Sequence, residues 1–197
     1  MSQSKNGVSA KELERQLGVS YKCAWRMARQ IRSLMRQDAV PLGGVVEADE
    51  TYIGGKAGWG RENKTAVFGT VERHGRIKVK AVRDVKTETL LSEMKKMVLK
   101  GSTVITDGML SYQRVPELGL EHKTINHSKA MHAAGDLHTS SIDAFWGHFK
   151  RSLAGTYCSV SPKHLQNYLD EFAFRYDHRA DLTPLPVTLL SRVGMQG

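Results

Sequence analysis

The stretch Ser141-Ile142-Asp143-Ala144-Phe145-Trp146-Gly147-His148-Phe149-Lys150-Arg151 decides the fold once it is set against two aspartates far upstream. Asp49 lies in Val45-Val46-Glu47-Ala48-Asp49-Glu50, and Asp107 closes the apolar run Thr103-Val104-Ile105-Thr106. Thirty-five residues separate Asp107 from Asp143, and Lys150 follows seven positions after Asp143. Seven positions are almost two helical turns, so Asp143 and Lys150 share a helix face. Carboxylates are hard oxygen ligands for Mg²⁺ or Mn²⁺. Two such ions ~4 Å apart activate the attacking oxygen of a phosphoryl transfer and stabilise the leaving one. The pattern therefore suits a divalent-metal phosphoryl-transfer site built from Asp49, Asp107 and Asp143, with Lys150 turned to the substrate's phosphates. A chain with 20 acidic residues offers many spacings. What singles out Asp49 and Asp107 is their place at apolar strand segments, where an unpaired carboxylate is costly to bury.

The 197 residues suffice for one domain of ordinary size with a small appendage, and an apolar share of 40% supplies a core. A net charge of +9 favours a polyanionic partner. Residues 1–40 hold eight Lys/Arg against three Asp/Glu. Cys23 and Cys158 have neither a CxxC partner nor zinc spacing, which fits buried or incidental thiols in a reducing cytoplasm. No signal peptide, membrane-spanning run or internal repeat is visible.

Ser9-x-x-Glu12 predicts a capped helix carrying Leu13 and Leu17, broken at Gly18-Val19-Ser20. Ser20 opens a second helix to about Met35, with Ala24, Met27, Ala28, Ile31 and Met35 on its apolar side. Lys22, Arg26, Arg29, Arg32 and Arg36 supply positive charge, a helix-turn-helix-like pattern whose plain alternative is a solvated basic hairpin. Pro41-Leu42-Gly43-Gly44 reads as a linker. Strands are predicted at Val45–Ile53, Ala66–Val71, Ile77–Val82 and Thr103–Thr106, with a shorter one near Lys123–Asn126. Thr87 is the predicted cap of a helix facing inward with Leu90, Leu91, Met94, Met97 and Val98. A helix from about Thr139 carries Asp143 and Lys150. Ser161-Pro162 is expected to cap the last helix, packed through Leu165, Tyr168, Leu169 and Phe172.

Other residues invite roles of their own. Strand alternation puts Glu47 on the face of Asp49, as a possible supporting carboxylate, and turns Glu50 away. Lys56, Arg61 and Lys64, with Trp59, sit in a glycine-rich basic loop suited to phosphate contact or to a solvated hairpin tip. His122, His127, His132 and His138 crowd one region without a tight metal-ligand spacing, and Asp136 reads as a turn residue. Phe145 and Trp146 read as core, while Tyr157 and Arg175 are open between DNA contact and structure.

Several blocks resemble the DDE transposases of small bacterial insertion sequences, in particular the ISXO-like catalytic domain. They are Val46-Glu47-Ala48-Asp49-Glu50-Thr51-Tyr52-Ile53-Gly54-Gly55-Lys56, Val67-Phe68-Gly69-Thr70-Val71-Glu72-Arg73 and Gly101-Ser102-Thr103-Val104-Ile105-Thr106-Asp107. Glu121-His122-Lys123-Thr124-Ile125-Asn126-His127-Ser128, His138-Thr139 with Phe145-Trp146, and Ser161-Pro162-Lys163-His164-Leu165 through Tyr176 follow in family order. The resemblance implies an α/β, RNase H-like mixed sheet flanked by helices, preceded by a small helical, helix-turn-helix-like segment. It implies residues 1–40 as a DNA-binding segment, 41–182 as the catalytic domain and 183–197 as a tail. Relatives carry further N-terminal sequence, often a zinc ribbon, so the N-terminal segment reads as a truncated unit. Relatives also carry Asn where Ser140 stands and Glu where Asp143 stands; the two positions share one helix face.

On this resemblance the chain is a DNA transposase that uses Mg²⁺ or Mn²⁺ to cut at insertion-sequence ends and transfer the strand into target DNA. Asp49, Asp107 and Asp143 would be metal ligands and Lys150 a phosphate contact. Lys22, Arg26, Arg29, Lys56, Arg61, Lys64 and Arg151 would bind DNA, with Glu47 and Ser140 in support. It implies a cytoplasmic, nucleoid-associated protein without membrane attachment, at least dimeric when joining ends. Two alternatives stay open: a non-catalytic DNA-binding protein descended from a transposase, and an RNase H-like nuclease.

Overall fold

Residues 4, 6–55, 64–125 and 139–193 are described by the computed structural model. They group into two compact units, residues 38–147 and residues 1–37 with 148–197.

The first unit is built on five strands, β1 (Val45–Ile53), β2 (Thr65–Glu72), β3 (Ile77–Val82), β4 (Thr103–Asp107) and β5 (Glu121–Ile125). Their order is β3-β2-β1-β4-β5. β1, β2 and β3 pair antiparallel, whereas β4 runs parallel to both β1 and β5. The β2–β3 connection is the turn expected at His74-Gly75, with His74 at φ 59°. One sheet face carries Val46, Ala48, Phe68 and Val104 into a core with Leu90, Leu91, Met94 and Met97 of α3 (Thr87–Met97). Lys86, not Thr87, is the N-cap of α3, and no side chain caps it. Thr87 is already helical, so its hydroxyl is one residue too late for the orphan amides.

The opposite face receives α4 (Ser140–Ser152), which buries Ile142, Phe145 and Trp146. Gly69 makes this approach possible. A Cβ there would lie 2.6 Å from Trp146 Cζ2 and 3.0 Å from Ile142 Cδ1. This mixed five-stranded sheet with helices on both faces is RNase H-like. β5 ends at Ile125, and Asn126 of the predicted strand lies outside the described residues.

The second unit contains α1 (Ala10–Leu17), α2 (Tyr21–Leu34), α5 (Pro162–Asp177) and α6 (Leu185–Ser191). The serine caps behave as the sequence indicates, for the hydroxyls of Ser9 and Ser20 accept from Glu12 N and Cys23 N. Gly18, at φ 64°, takes the left-handed C-cap that ends α1. Ser161 precedes Pro162 at the start of α5 but makes no side-chain capping bond. A π-helical segment, Leu153–Tyr157, and helix α6 go beyond the elements that the sequence pattern predicts.

Arg32 departs from the sequence expectation. It is 3% exposed and donates from Nε to Glu171 Oε2 at 2.7 Å, with Glu171 wholly buried on α5. Arg175 Nη2 (2.9 Å) and the Tyr157 hydroxyl (3.2 Å) complete the Glu171 cluster. The Arg32 guanidinium also lies over the Tyr168 ring at 4.1 Å. Arg32 therefore ties α2 to α5 instead of adding to the solvent-facing charge. The half-buried Tyr157 and Arg175 belong to the same cluster.

Candidate active site

Strands β1 and β4 run side by side in the register Val45↔Thr103, Val46↔Val104 and Glu47↔Ile105. Carried two residues further, that offset brings Asp49 level with Asp107 at the end of β4. Oxygens of Asp49, Glu50 and Asp107 all lie within 4.8 Å of one another. Asp107 is held by a bond from Met109 N to its Oδ1 at 3.0 Å. The Asp49 carboxyl is pushed up to about 7, first by burial and then by the charges of Glu50, Asp143 and Asp107. Too much negative charge is gathered here for Asp49 to ionise at its ordinary pH.

Glu50 is a correction to the sequence reading. Alternation does aim its Cβ to the opposite face from Asp49, but its longer side chain brings the carboxylate back to the group at the strand end. There the buried Tyr112 hydroxyl donates to Glu50 Oε2. Burial and the nearby carboxylates hold the Tyr112 pKa well above its ordinary value, so the hydroxyl remains a donor. Nothing in the sequence around Tyr112 signals this contact.

Asp143 lies in the first turn of α4 and is exposed, its Oδ2 accepting from Thr139 Oγ1 at 3.1 Å. It is outside the 4.8 Å group but is one of the charges that raise Asp49. Ser140 is the exposed first residue of α4, while Lys150 and Arg151 are exposed in its last turn. Glu47 has no exposed surface and is not in the acidic group. Its carboxylate instead accepts from Ser141 N (2.9 Å), Ile142 N (3.2 Å) and Ser141 Oγ (3.1 Å).

The remaining candidates divide simply. Lys22, Arg26 and Arg29 are exposed on α2, and Lys64 is exposed just before β2. Lys56, Trp59, Arg61, His127, His132, Asp136 and His138 lie outside the described residues. His122 Nε2 is 2.9 Å from Thr106 Oγ1, and burial lowers its pKa. Among the described residues no helix is long and apolar enough to cross a membrane.

Among solved structures, the catalytic core of BIV integrase aligns over 79% of this chain and 99% of that one, at 12% identity and a TM-score of 0.45. The HTLV-2 integrase core in complex with magnesium aligns over 75% and 94%, at 12% identity and a TM-score of 0.46. A transposase-like protein of Haemophilus influenzae is 31% identical over 97 residues, which is 49% of this chain and 77% of the relative. A protein in transposable element ISH50 of Halobacterium salinarum is 28% identical over 194 residues, covering 85% of this chain. This chain spans 64% of the length of that halobacterial relative. The family model of the ISXO2-like transposase domain matches residues 41–177, most of the sheet unit together with α5. The chain thus belongs to the ISXO2-like transposase family.

Proposed function

We propose that the chain is a DNA transposase that cleaves at the ends of its insertion sequence and joins the freed 3′-hydroxyl to target DNA. The observation that carries this is the convergence of Asp49 and Glu50, within β1, and Asp107, at the end of the parallel strand β4, to within 4.8 Å. The donors are all carboxylate oxygens, which suit hard cations such as Mg²⁺ or Mn²⁺. The Asp49 carboxyl, raised to about 7 by burial and by the charges of its neighbours, supports the same fit, because a cation would offset the negative charge gathered there.

Asp49 and Asp107 would hold the ion. Asp143 would be the third ligand, or Glu50, which the distances favour. When bound, the metal supplies Lewis-acid stabilisation of the phosphoryl oxygens and a more acidic attacking hydroxyl. The rest falls to the chain's own groups. Asp49 must give up its proton before it can act as a ligand. Tyr112 fixes one oxygen of Glu50 beside the cluster. Lys150, on the face of α4 that carries Asp143, offers its ammonium to a DNA phosphate, and Arg151 lies beside it. Lys22, Arg26, Arg29, Lys56, Arg61 and Lys64 add sequence-independent backbone contacts. Cleavage and joining both act on DNA in the cytoplasm, and pairing two ends takes at least two copies of the chain.

The test is to incubate the protein with labelled duplex from the flanks of its own coding region, supercoiled plasmid and Mg²⁺ or Mn²⁺. Joined products support a transposase. Nicks without joining would support a nuclease, and binding without either would support a non-catalytic DNA-binding protein.

A further inference from the structure

We infer that Glu47 is a positioning residue: it docks the first turn of α4 on β1, so that Asp143 is set over the cluster of Asp49 and Asp107. Its consequence for cleavage rests on the transposase reading above; its structural part does not. Glu47 and Asp49 are two apart on one strand and so face the same way. A fourth metal-binding carboxylate is the simple expectation for such a residue. The hydrogen bonds speak against that role. Oε2 accepts from the backbone amides of Ser141 and Ile142, and Oε1 accepts from the Ser141 hydroxyl. Arg73 Nε lies 3.6 Å from Oε1. Both oxygens are thus engaged, on a side chain with no exposed surface.

Ser141 and Ile142 belong to the first turn of α4, where backbone amides have no partner within the helix. A buried carboxylate facing those amides satisfies them and meets the positive end of the helix dipole. Glu47 is two residues from Asp49, and its partners immediately precede Asp143 in the chain. One side chain therefore links the strand that carries one proposed ligand to the helix that carries another. A metal centre needs such a link, because its ligands must be held within about 0.5 Å of productive geometry.

Glu47→Gln separates positioning from ligation. The carboxamide oxygen can replace Oε2 toward the two amides, and its NH₂ can donate to the Ser141 hydroxyl, which accepts as readily as it donates; only the ion pair of Oε1 with Arg73 is lost. Docking of α4 is then kept, whereas a metal ligand would lose its charge. The experiment measures amide hydrogen exchange at Ser141 and Ile142 in metal-free protein, Mn²⁺ affinity, and end cleavage, for Glu47→Gln and Glu47→Ala, with Asp49→Asn as reference. Glu47→Ala should speed exchange at both amides at least about tenfold, the loss of a charge-assisted hydrogen bond. It should also slow cleavage about 10²-fold, as displaced catalytic geometry does, with DNA affinity unchanged. Glu47→Gln should keep the slow exchange and bind Mn²⁺ within about threefold of the parent, a difference of under 1 kcal/mol. The inference is overturned if Glu47→Gln loses Mn²⁺ as Asp49→Asn does, or if Glu47→Ala leaves both amides protected. If Glu47→Ala does not fold, the Glu47→Gln measurements decide. A parent that cuts no DNA overturns the transposase reading, while exchange and Mn²⁺ affinity still decide the role of Glu47.

Discussion

Replacing Asp49 with Asn should make the metal-free protein more stable while removing its metal-dependent activity. The Asp49 carboxyl titrates at about 7 against an ordinary 3.8. At ~1.4 kcal/mol per pH unit, the ionised group costs the fold about 4 kcal/mol once the pH exceeds both values. The sign follows from proton binding. The folded state holds the proton more tightly than the unfolded chain, so this contribution is fully favourable below pH 3.8 and is lost as the pH rises to about 7. Asn has nearly the shape of the protonated acid and never ionises. Allowing for the imperfect fit of an amide, Asp49→Asn should gain about 2–4 kcal/mol at pH 8, or roughly 5–15 °C in Tm for a chain of this size. At pH 5 the gain should shrink to less than half. The assay is thermal unfolding in EDTA at both pH values, repeated with Mg²⁺, which should stabilise the parent and not the variant. A variant no more stable than the parent at pH 8 would refute the idea that burial and the neighbouring carboxylates disfavour the ionised Asp49.

Other perturbations probe separate parts of the structure. With Asp143 as the third ligand, Asp143→Ala should abolish end cleavage, Ser140→Ala should cost far less, and Asp143→Glu should keep or raise the rate; equal cutting by Asp143→Ala and the parent under both metals would assign that place to Glu50 instead. Gly69→Ala sets a methyl 2.6 Å from Trp146 Cζ2, so denaturant unfolding should show a loss of about 1–3 kcal/mol from overpacking. Arg32→Ala leaves Glu171 buried with fewer partners, and a loss of about 3–5 kcal/mol is expected for a broken buried pair. Wild-type stability there would mean that Arg175 and Tyr157 alone suffice for Glu171.

Local signals account for what was legible in the sequence. Ser9, Gly18 and Ser20 mark helix ends through contacts within three or four residues, and those ends stand where the sequence put them. Apolar runs mark the strands, with Asp49 inside β1 and Asp107 closing β4; their level placement comes from the β1–β4 register. What escaped was set by partners distant in the chain. The Glu50 carboxylate is held by Tyr112, 62 residues on, a contact that strand alternation does not register. Arg32 is charged like its neighbours on α2, and only Glu171, 139 residues away, makes its burial tolerable. Glu47 was read by its spacing from Asp49, although its hydrogen bonds go to α4. Thr87 was misplaced by a single residue, because cap geometry depends on backbone angles that sequence does not spell out.

The most direct test of the proposed metal centre is a crystal grown with Mn²⁺ at pH 8, examined by anomalous diffraction. A peak bonded to Asp49 and Asp107 is predicted, and its remaining protein ligand decides between Asp143 and Glu50. Manganese bound at other carboxylates, with none between Asp49 and Asp107, would contradict it.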